Sequence, residues 1–149
     1  MAEIKRIGVV GGGQMGSGIA QIAAVNGFEV WIHDSDSEAL SRAKTSISSG
    51  IQNLVSKRKL TSGEGVEAVN SITYALSLED FCSVDIVIEA IVESEDVKKK
   101  LFFQLDGIVK SSAILASNTS SISITRLASA TKRPTQVNTI VLSSPLQVM

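Results

Sequence analysis

Apolar residues recur along this chain with two different periods, and the two alternate. Short apolar runs at residues 4–10, 29–33, 71–76, 85–90, 113–116 and 137–142 predict strands. Between them the apolar positions fall every three or four residues. Ile19, Ile22, Ala23 and Val25 predict a helix over 14–26, stopped by Gly27. Leu40, Ala43, Ile47, Ile51, Leu54 and Val55 predict a long helix over 37–60. Thr61-Ser62-Gly63-Glu64 has capping spacing and starts a short helix to about Val69. A helical turn follows at 78–81. Val97, Leu101, Phe102, Leu105 and Ile108 predict the inward stripe of a helix over 94–109, and another short helix covers 122–130. The run Ile86-Val87-Ile88 is apolar on both faces, as a central parallel strand is. The pattern predicts an α/β, Rossmann-type, doubly wound and mainly parallel sheet, a single domain over residues 1–149.

The first strand runs directly into Gly11-Gly12-Gly13-Gln14-Met15-Gly16, a G-x-G-x-x-G turn that opens a helix. The second strand ends in Asp34. Strand, glycine turn, helix, strand and terminal acid together form a dinucleotide-binding fingerprint. Gly11 allows the tight turn, Gly13 lets a pyrophosphate approach the backbone, and Gly16 lets the helix pack closely. The helix start offers unpaired N–H groups and a positive dipole end to phosphates. Asp34 is placed to accept hydrogen bonds from the adenosine ribose. A 2′-phosphate there would meet like charge, and Ser35 and Asp36 offer no arginine, so NAD is favoured over NADP.

Charge and composition narrow the field further. A net charge of −1 does not point to nucleic acid or to an anionic membrane surface. No apolar stretch reaches membrane-spanning length. The first strand leaves no room for a cleaved leader, and the C-terminus is not a Ser-Lys-Leu-like address; the expected location is intracellular, with the compartment open. Cys82, the one cysteine, is expected to be a small buried hydrophobe, compatible with a reducing compartment. One cysteine and one histidine cannot build a metal site. His33 stands next to the ribose acid, far from nicotinamide chemistry, and is a poor general acid or base.

Three further places have two readings each. Glu93 and Lys98 could meet beside a cofactor, or form an exposed ion pair at a helix start. Ala116-Ser117-Asn118-Thr119-Ser120-Ser121 could bond a nicotinamide ribose or a substrate oxygen, or simply cap a helix. The cluster Lys57-Arg58-Lys59 could meet an anionic ligand, although a solvated helix end is the plainer account.

Taken together, Gly11-Gly12-Gly13-Gln14-Met15-Gly16-Ser17-Gly18-Ile19-Ala20-Gln21, Glu89-Ala90-Ile91-Val92-Glu93 and Ala116 to Ser121 resemble the NAD domain of the 3-hydroxyacyl-CoA dehydrogenases, including the 3-hydroxybutyryl-CoA enzymes. The resemblance runs over residues 4–137 in one register. It implies oxidation of an L-3-hydroxyacyl-CoA to a 3-ketoacyl-CoA, in fatty-acid metabolism, with hydride passing to NAD. It implies that Gly11, Gly13, Gln14, Met15, Gly16, Asp34, Glu93, Lys98, Asn118 and Ser120 hold the cofactor. Ser120 would also bond the reacting oxygen. Lys57 matches a lysine that meets CoA, while Gly50 replaces a serine seven residues before it.

Residues 138–149 diverge from the family pattern. Val141 stands where the family has its general-base histidine, and Ser144 where it has an asparagine. General acid–base catalysis contributes about 10²–10⁴-fold, and valine cannot take a proton. The family's helical C-terminal domain is not expected in this chain either. The expectation is a shortened, nearly inactive NAD-binding domain that takes an acyl-CoA by family and self-associates through an exposed apolar face. The alternative is a non-catalytic NAD-binding or regulatory module that pairs with full-length subunits.

Overall fold

A computed structural model describes residues 3–118 and 122–139. Six parallel strands form one sheet in the order β3-β2-β1-β4-β5-β6. The strands are β1 (Arg6–Val10), β2 (Glu29–His33), β3 (Ile72–Tyr74), β4 (Ile86–Glu89), β5 (Ile114–Ser117) and β6 (Val137–Thr139). The helices are α1 (Gln14–Val25), α2 (Ser37–Ser56), α3 (Ser62–Asn70), α4 (Glu95–Asp106) and α5 (Ile124–Ala128). Short 3₁₀ turns occupy Leu78–Phe81 and Pro134–Gln136. The predicted α/β doubly wound architecture is borne out. Residues 140–142 of the last predicted strand lie outside the described residues.

The strand order reverses between β1 and β4. Ile7 pairs with Val30 on one side and Ile86 on the other, and Val10 with His33 and Glu89. Two hydrophobic clusters follow from that reversal. Ile7 and Val9 of β1 join Val30 and Ile32 of β2 under Ile19, Ala20 and Ala23 of α1 and Ala43, Ile47 and Ile51 of α2. Val10, Val87 and Leu115 point the other way, against Phe81, Leu101, Phe102, Leu105 and Leu127. Gly8 belongs to that second face: a Cβ there would lie 2.8 Å from the Phe81 ring, so the glycine is what seats the phenyl group.

Local chemistry sets the helix ends. The Thr61 hydroxyl accepts from the Glu64 N–H and the Glu64 carboxylate accepts from the Thr61 N–H, a complete capping box. Asp36 and Ser94 cap α2 and α4 in the same way, each with one side-chain bond. Helix α2 ends at Ser56, four residues short of the predicted end, because Arg58 takes a left-handed φ of 58°. Helix α4 likewise stops at Asp106 and not at residue 109.

Arg133 makes a second kind of closure. Its guanidinium donates to the Asp106 carboxylate at 2.6 Å and to the carbonyls of Asp106, Lys110 and Ala113. It thereby caps the end of α4 and ties it to the segment that leads into β6. Two expectations fail at side-chain level. Val97 is exposed, not inward; Lys98 takes its place in the stripe. Cys82 is exposed, because it follows the 3₁₀ turn at the surface while its neighbour Phe81 turns in.

Candidate functional site

The carboxyl ends of β1, β2 and β4 open onto a cleft of about 580 Å³. Its walls include Gly11, Gly13, Asp34, Ile91, Val97 and Leu101. This is the crevice at the strand-order reversal, where doubly wound sheets bind their ligands.

The three glycines do different work there. Gly11 has φ +118°, and its N–H donates to the His33 carbonyl at 2.8 Å. A Cβ at Gly11 would lie 2.5 Å from the Ala90 carbonyl oxygen, so the turn is wedged between β2 and β4. A Cβ at Gly16 would lie 1.7 Å from the Gly11 carbonyl oxygen, which makes Gly16 the residue that seats α1 against its own turn. Gly13 is different. No atom lies within 4 Å of a Cβ built there, and its φ of −76° suits any residue. No packing contact or backbone angle requires a glycine at 13, although its place as N-cap of α1 favours glycine over alanine; a ligand resting on the backbone would require it. Helix α1 also carries no side-chain cap and no acid in its first turn, which leaves its leading N–H groups for an anion.

Asp34 is tied to this turn. One carboxylate oxygen accepts from the Gly12 N–H at 2.7 Å and the other from the Asp36 N–H at 2.8 Å. Each oxygen keeps a further lone pair, and the residue lines the cleft, so the ribose role expected of it is stereochemically available. His33 is fixed elsewhere. Its Nδ1 bonds the Ala75 carbonyl at 2.8 Å and, facing a carbonyl, must be the donor. The ring therefore serves as a tie between β2 and the segment after β3.

A buried polar cluster sits at the ends of β4 and β5. The Glu89 carboxylate, wholly inaccessible to solvent, accepts from Lys98 Nζ at 2.7 Å, from the Ser117 hydroxyl, and from the Ile91 N–H at 3.1 Å. Lys98, equally buried, also reaches Glu93 at 3.2 Å and the Asn118 carbonyl at 3.4 Å. Glu93 and Lys98 do meet, then, but not as an exposed pair: Lys98 is wholly buried in the cluster, while Glu93 reaches it from the rim with 40% of its side chain exposed. Among the described residues no buried side-chain polar atom lacks a partner. Glu89 and Ser117 carry no individual role in the sequence reading.

The remaining expected residues are dispersed. Gln14 is exposed and Met15 half-buried at the start of α1. Lys57 is exposed at the far end of α2 and does not line the cleft. Gly50, on the same helix, packs so closely on α1 that a Cβ would meet the Gln21 amide at 2.1 Å. Ser120 and Val141 lie outside the described residues. Among those described, no group of three or more histidines, cysteines or acids is placed to hold a metal, and no helix is long and apolar enough to cross a membrane.

Comparison with known proteins agrees with this geometry. The family model described as "3-hydroxyacyl-CoA dehydrogenase, NAD binding domain" matches residues 6–149. A 3-hydroxybutyryl-CoA dehydrogenase of Bradyrhizobium diazoefficiens is 43% identical over 99% of this chain and 50% of its own length. The fatty acid oxidation complex subunit alpha of Pseudomonas putida is 42% identical over 99% of this chain, which is 21% of that protein. The crystal structure of an (S)-3-hydroxybutyryl-CoA dehydrogenase from Ralstonia eutropha superposes with a TM-score of 0.92 at 41% identity, over 99% of this chain and 52% of that one. The chain thus spans about half the length of the Bradyrhizobium and Ralstonia 3-hydroxybutyryl-CoA dehydrogenases. With a family model covering nearly all of it, an open glycine turn before α1 and an acid at the end of β2, the chain belongs to the 3-hydroxyacyl-CoA dehydrogenase family, as its NAD-binding Rossmann domain.

Proposed function

We propose that this chain holds NAD as the hydride acceptor for oxidation of a 3-hydroxyacyl-CoA, and that these 149 residues alone turn over slowly. The observation that carries the cofactor part is Gly13: an ordinary backbone conformation and open space where a side chain would stand, beside an anion-ready helix start. The pyrophosphate rests on residues 11–16, with Gln14 and Met15 in the first turn of α1. Asp34 accepts from the adenosine ribose hydroxyls while the Gly12 and Asp36 N–H groups hold its carboxylate still. A 2′-phosphate would be repelled there, which favours NAD over NADP. Lys98, Glu93, Asn118 and Ser120 border the second nucleotide. When bound, NAD supplies the carbon that takes hydride from the alcohol carbon of the substrate.

The chemical step also needs a group to take the hydroxyl proton. Ser120 is proposed to bond the reacting oxygen, but a serine is no base near neutral pH, and Val141 occupies the register of the family histidine. Lys57 is proposed as a CoA contact at the exposed end of α2.

Calorimetric titration with NAD and NADP tests the cofactor part. NAD should bind, NADP about tenfold or more weakly, and Asp34→Ala should remove most of that preference. A folded chain that takes up neither nucleotide at millimolar concentration would sink the proposal. For turnover, NADH oxidation with acetoacetyl-CoA should be about 10²-fold or more below that of a full-length relative. An equal rate would overturn the slow-turnover reading while leaving cofactor binding intact.

A further inference from the structure

Glu89 is a buried acid with no part in the function proposed above, and its surroundings ask for one. Burying a carboxylate and an ammonium together costs several kcal/mol per ion, and well-packed apolar residues of similar volume usually serve stability as well or better. A leucine and a methionine at these positions would fill the space. They could not hold what Glu89 and Lys98 hold. Glu89 takes the Ile91 N–H and the Ser117 hydroxyl; Lys98 spends its remaining two donors on Glu93 and the Asn118 carbonyl. Ile91 and Glu93 lie in the loop from β4 to α4, and Ser117 and Asn118 stand where β5 gives way to its loop. The pair therefore fastens the Ile91–Glu93 segment and the end of β5 to one point at the carboxyl edge of the sheet. With all three of its donors committed, Lys98 acts here as a strut.

In a doubly wound sheet the halves of a dinucleotide lie on either side of the strand-order reversal. Asp34 puts the adenosine on the β1–β2 side, so the second nucleotide falls over β4 and β5, against these two segments. We propose that Glu89 is a positioning residue for the nicotinamide half of the cofactor: acting through Lys98 and Ser117, it locks the Ile91–Glu93 segment after β4 to the end of β5 at Ser117 and Asn118, forming a single rigid lip. The inference rests on the cofactor reading above.

The test compares two ligands, AMP and NAD, because only NAD reaches the lip. In the double variant Glu89→Leu/Lys98→Met no buried charge is orphaned, because Glu93, which loses Lys98, is 40% exposed and stays solvated. It should bind AMP as the parent chain does and NAD about tenfold more weakly. Ser117→Ala, which removes one hydroxyl from Glu89, should show the same asymmetry on a smaller scale, about two- to threefold. Should the double variant fail to fold, Ser117→Ala decides. Equal weakening of AMP and NAD in a folded variant would mean a general packing role and would overturn the inference. No change in either ligand would overturn it too, as would a parent chain that binds NAD no more tightly than AMP. A parent chain that binds neither would instead overturn the cofactor reading itself.

Discussion

Gly13 and Gly16 stand three residues apart in one motif, yet alanine at each should have opposite consequences. At Gly16 the added carbon would sit 1.7 Å from the Gly11 carbonyl oxygen, and real Cβ contacts essentially never fall under 3.0 Å, so about 1.3 Å must be opened. Both partners are backbone, and no rotamer can relieve them. Gly11 cannot retreat, because its own position is pinned by the His33 carbonyl and blocked by the Ala90 carbonyl. Overpacking costs about 1–3 kcal/mol when side chains can adjust; here the upper end or more applies, about 3 kcal/mol. For a chain of this size that lowers Tm by about 6–12 °C. At Gly13 the new methyl group meets nothing and the backbone angles are ordinary; the one cost is alanine for glycine at the N-cap of α1, about 0.5–1 kcal/mol, so Tm should fall by no more than about 4 °C. The methyl group does, however, occupy the surface on which the pyrophosphate rests, and NAD affinity should drop about tenfold or more. Thermal melts followed by calorimetric titration separate the two effects. Gly13→Ala with parental NAD affinity would refute the ligand reading of that glycine. Gly16→Ala with a parental melt would refute the packing argument.

Other perturbations have equally definite outcomes. The Lys110 ammonium, with the Lys5 and Arg6 N–H groups, holds the Asp85 carboxyl at about 2, below its ordinary value of 3.8. A lowered folded-state value means that the stabilisation is present above pH 3.8 and is lost as pH falls towards 2. In full it would reach about 2.5 kcal/mol, but Lys110 is 42% exposed and screening reduces it to about 1 kcal/mol; Asp85→Asn should flatten urea-melt midpoints in that window alone. Arg133→Lys should cost nearly as much as Arg133→Met, about 3 kcal/mol by chemical denaturation, because an ammonium cannot reach the Asp106 carboxylate and three carbonyls at once. Full recovery of stability by lysine would contradict that account. Thr61→Ala breaks the capping box of α3 and should cost about 1 kcal/mol in the same assay, with NAD affinity unchanged because α3 lies outside the cleft.

The parts legible in the sequence were those governed by near neighbours. Strand β2 has the predicted limits because Gly27 stops the helix before it and Asp34 ends the apolar run after it. The Thr61 cap was legible for the same reason, its partner being three residues away. The end of α2 was not, since nothing local announces that Arg58 turns left-handed. The buried cluster shows the deeper limit. The apolar pattern of α4 selects Val97 as its inward residue, although Lys98, Leu101, Phe102 and Leu105 have the spacing of a single buried stripe. A lysine in such a stripe is a signal of a buried counter-charge, but the partner, Glu89, stands nine residues earlier at the end of β4, and only the packing of α4 back onto the sheet brings the two together. The motif announces separate roles for Gly13 and Gly16, while the partner that seats Gly16, the Gly11 carbonyl, is seen only in the folded turn.

The two hydrophobic clusters lie on opposite faces of the sheet, one mainly over β1 and β2 and the other mainly over β4 and β5, and the ladder between β1 and β4 joins the two halves. Each half carries its own interior, so fluctuations need not open the whole molecule together. In native-state hydrogen exchange, the amides of β2 and β3 should lose protection as one cooperative group and those of β5 and β6 as another. The phosphate turn sits on that seam, and a bound dinucleotide would span it as a non-covalent staple. Coenzyme would then slow the partial openings of both halves at once, an effect that AMP, confined to one bank, could not reproduce.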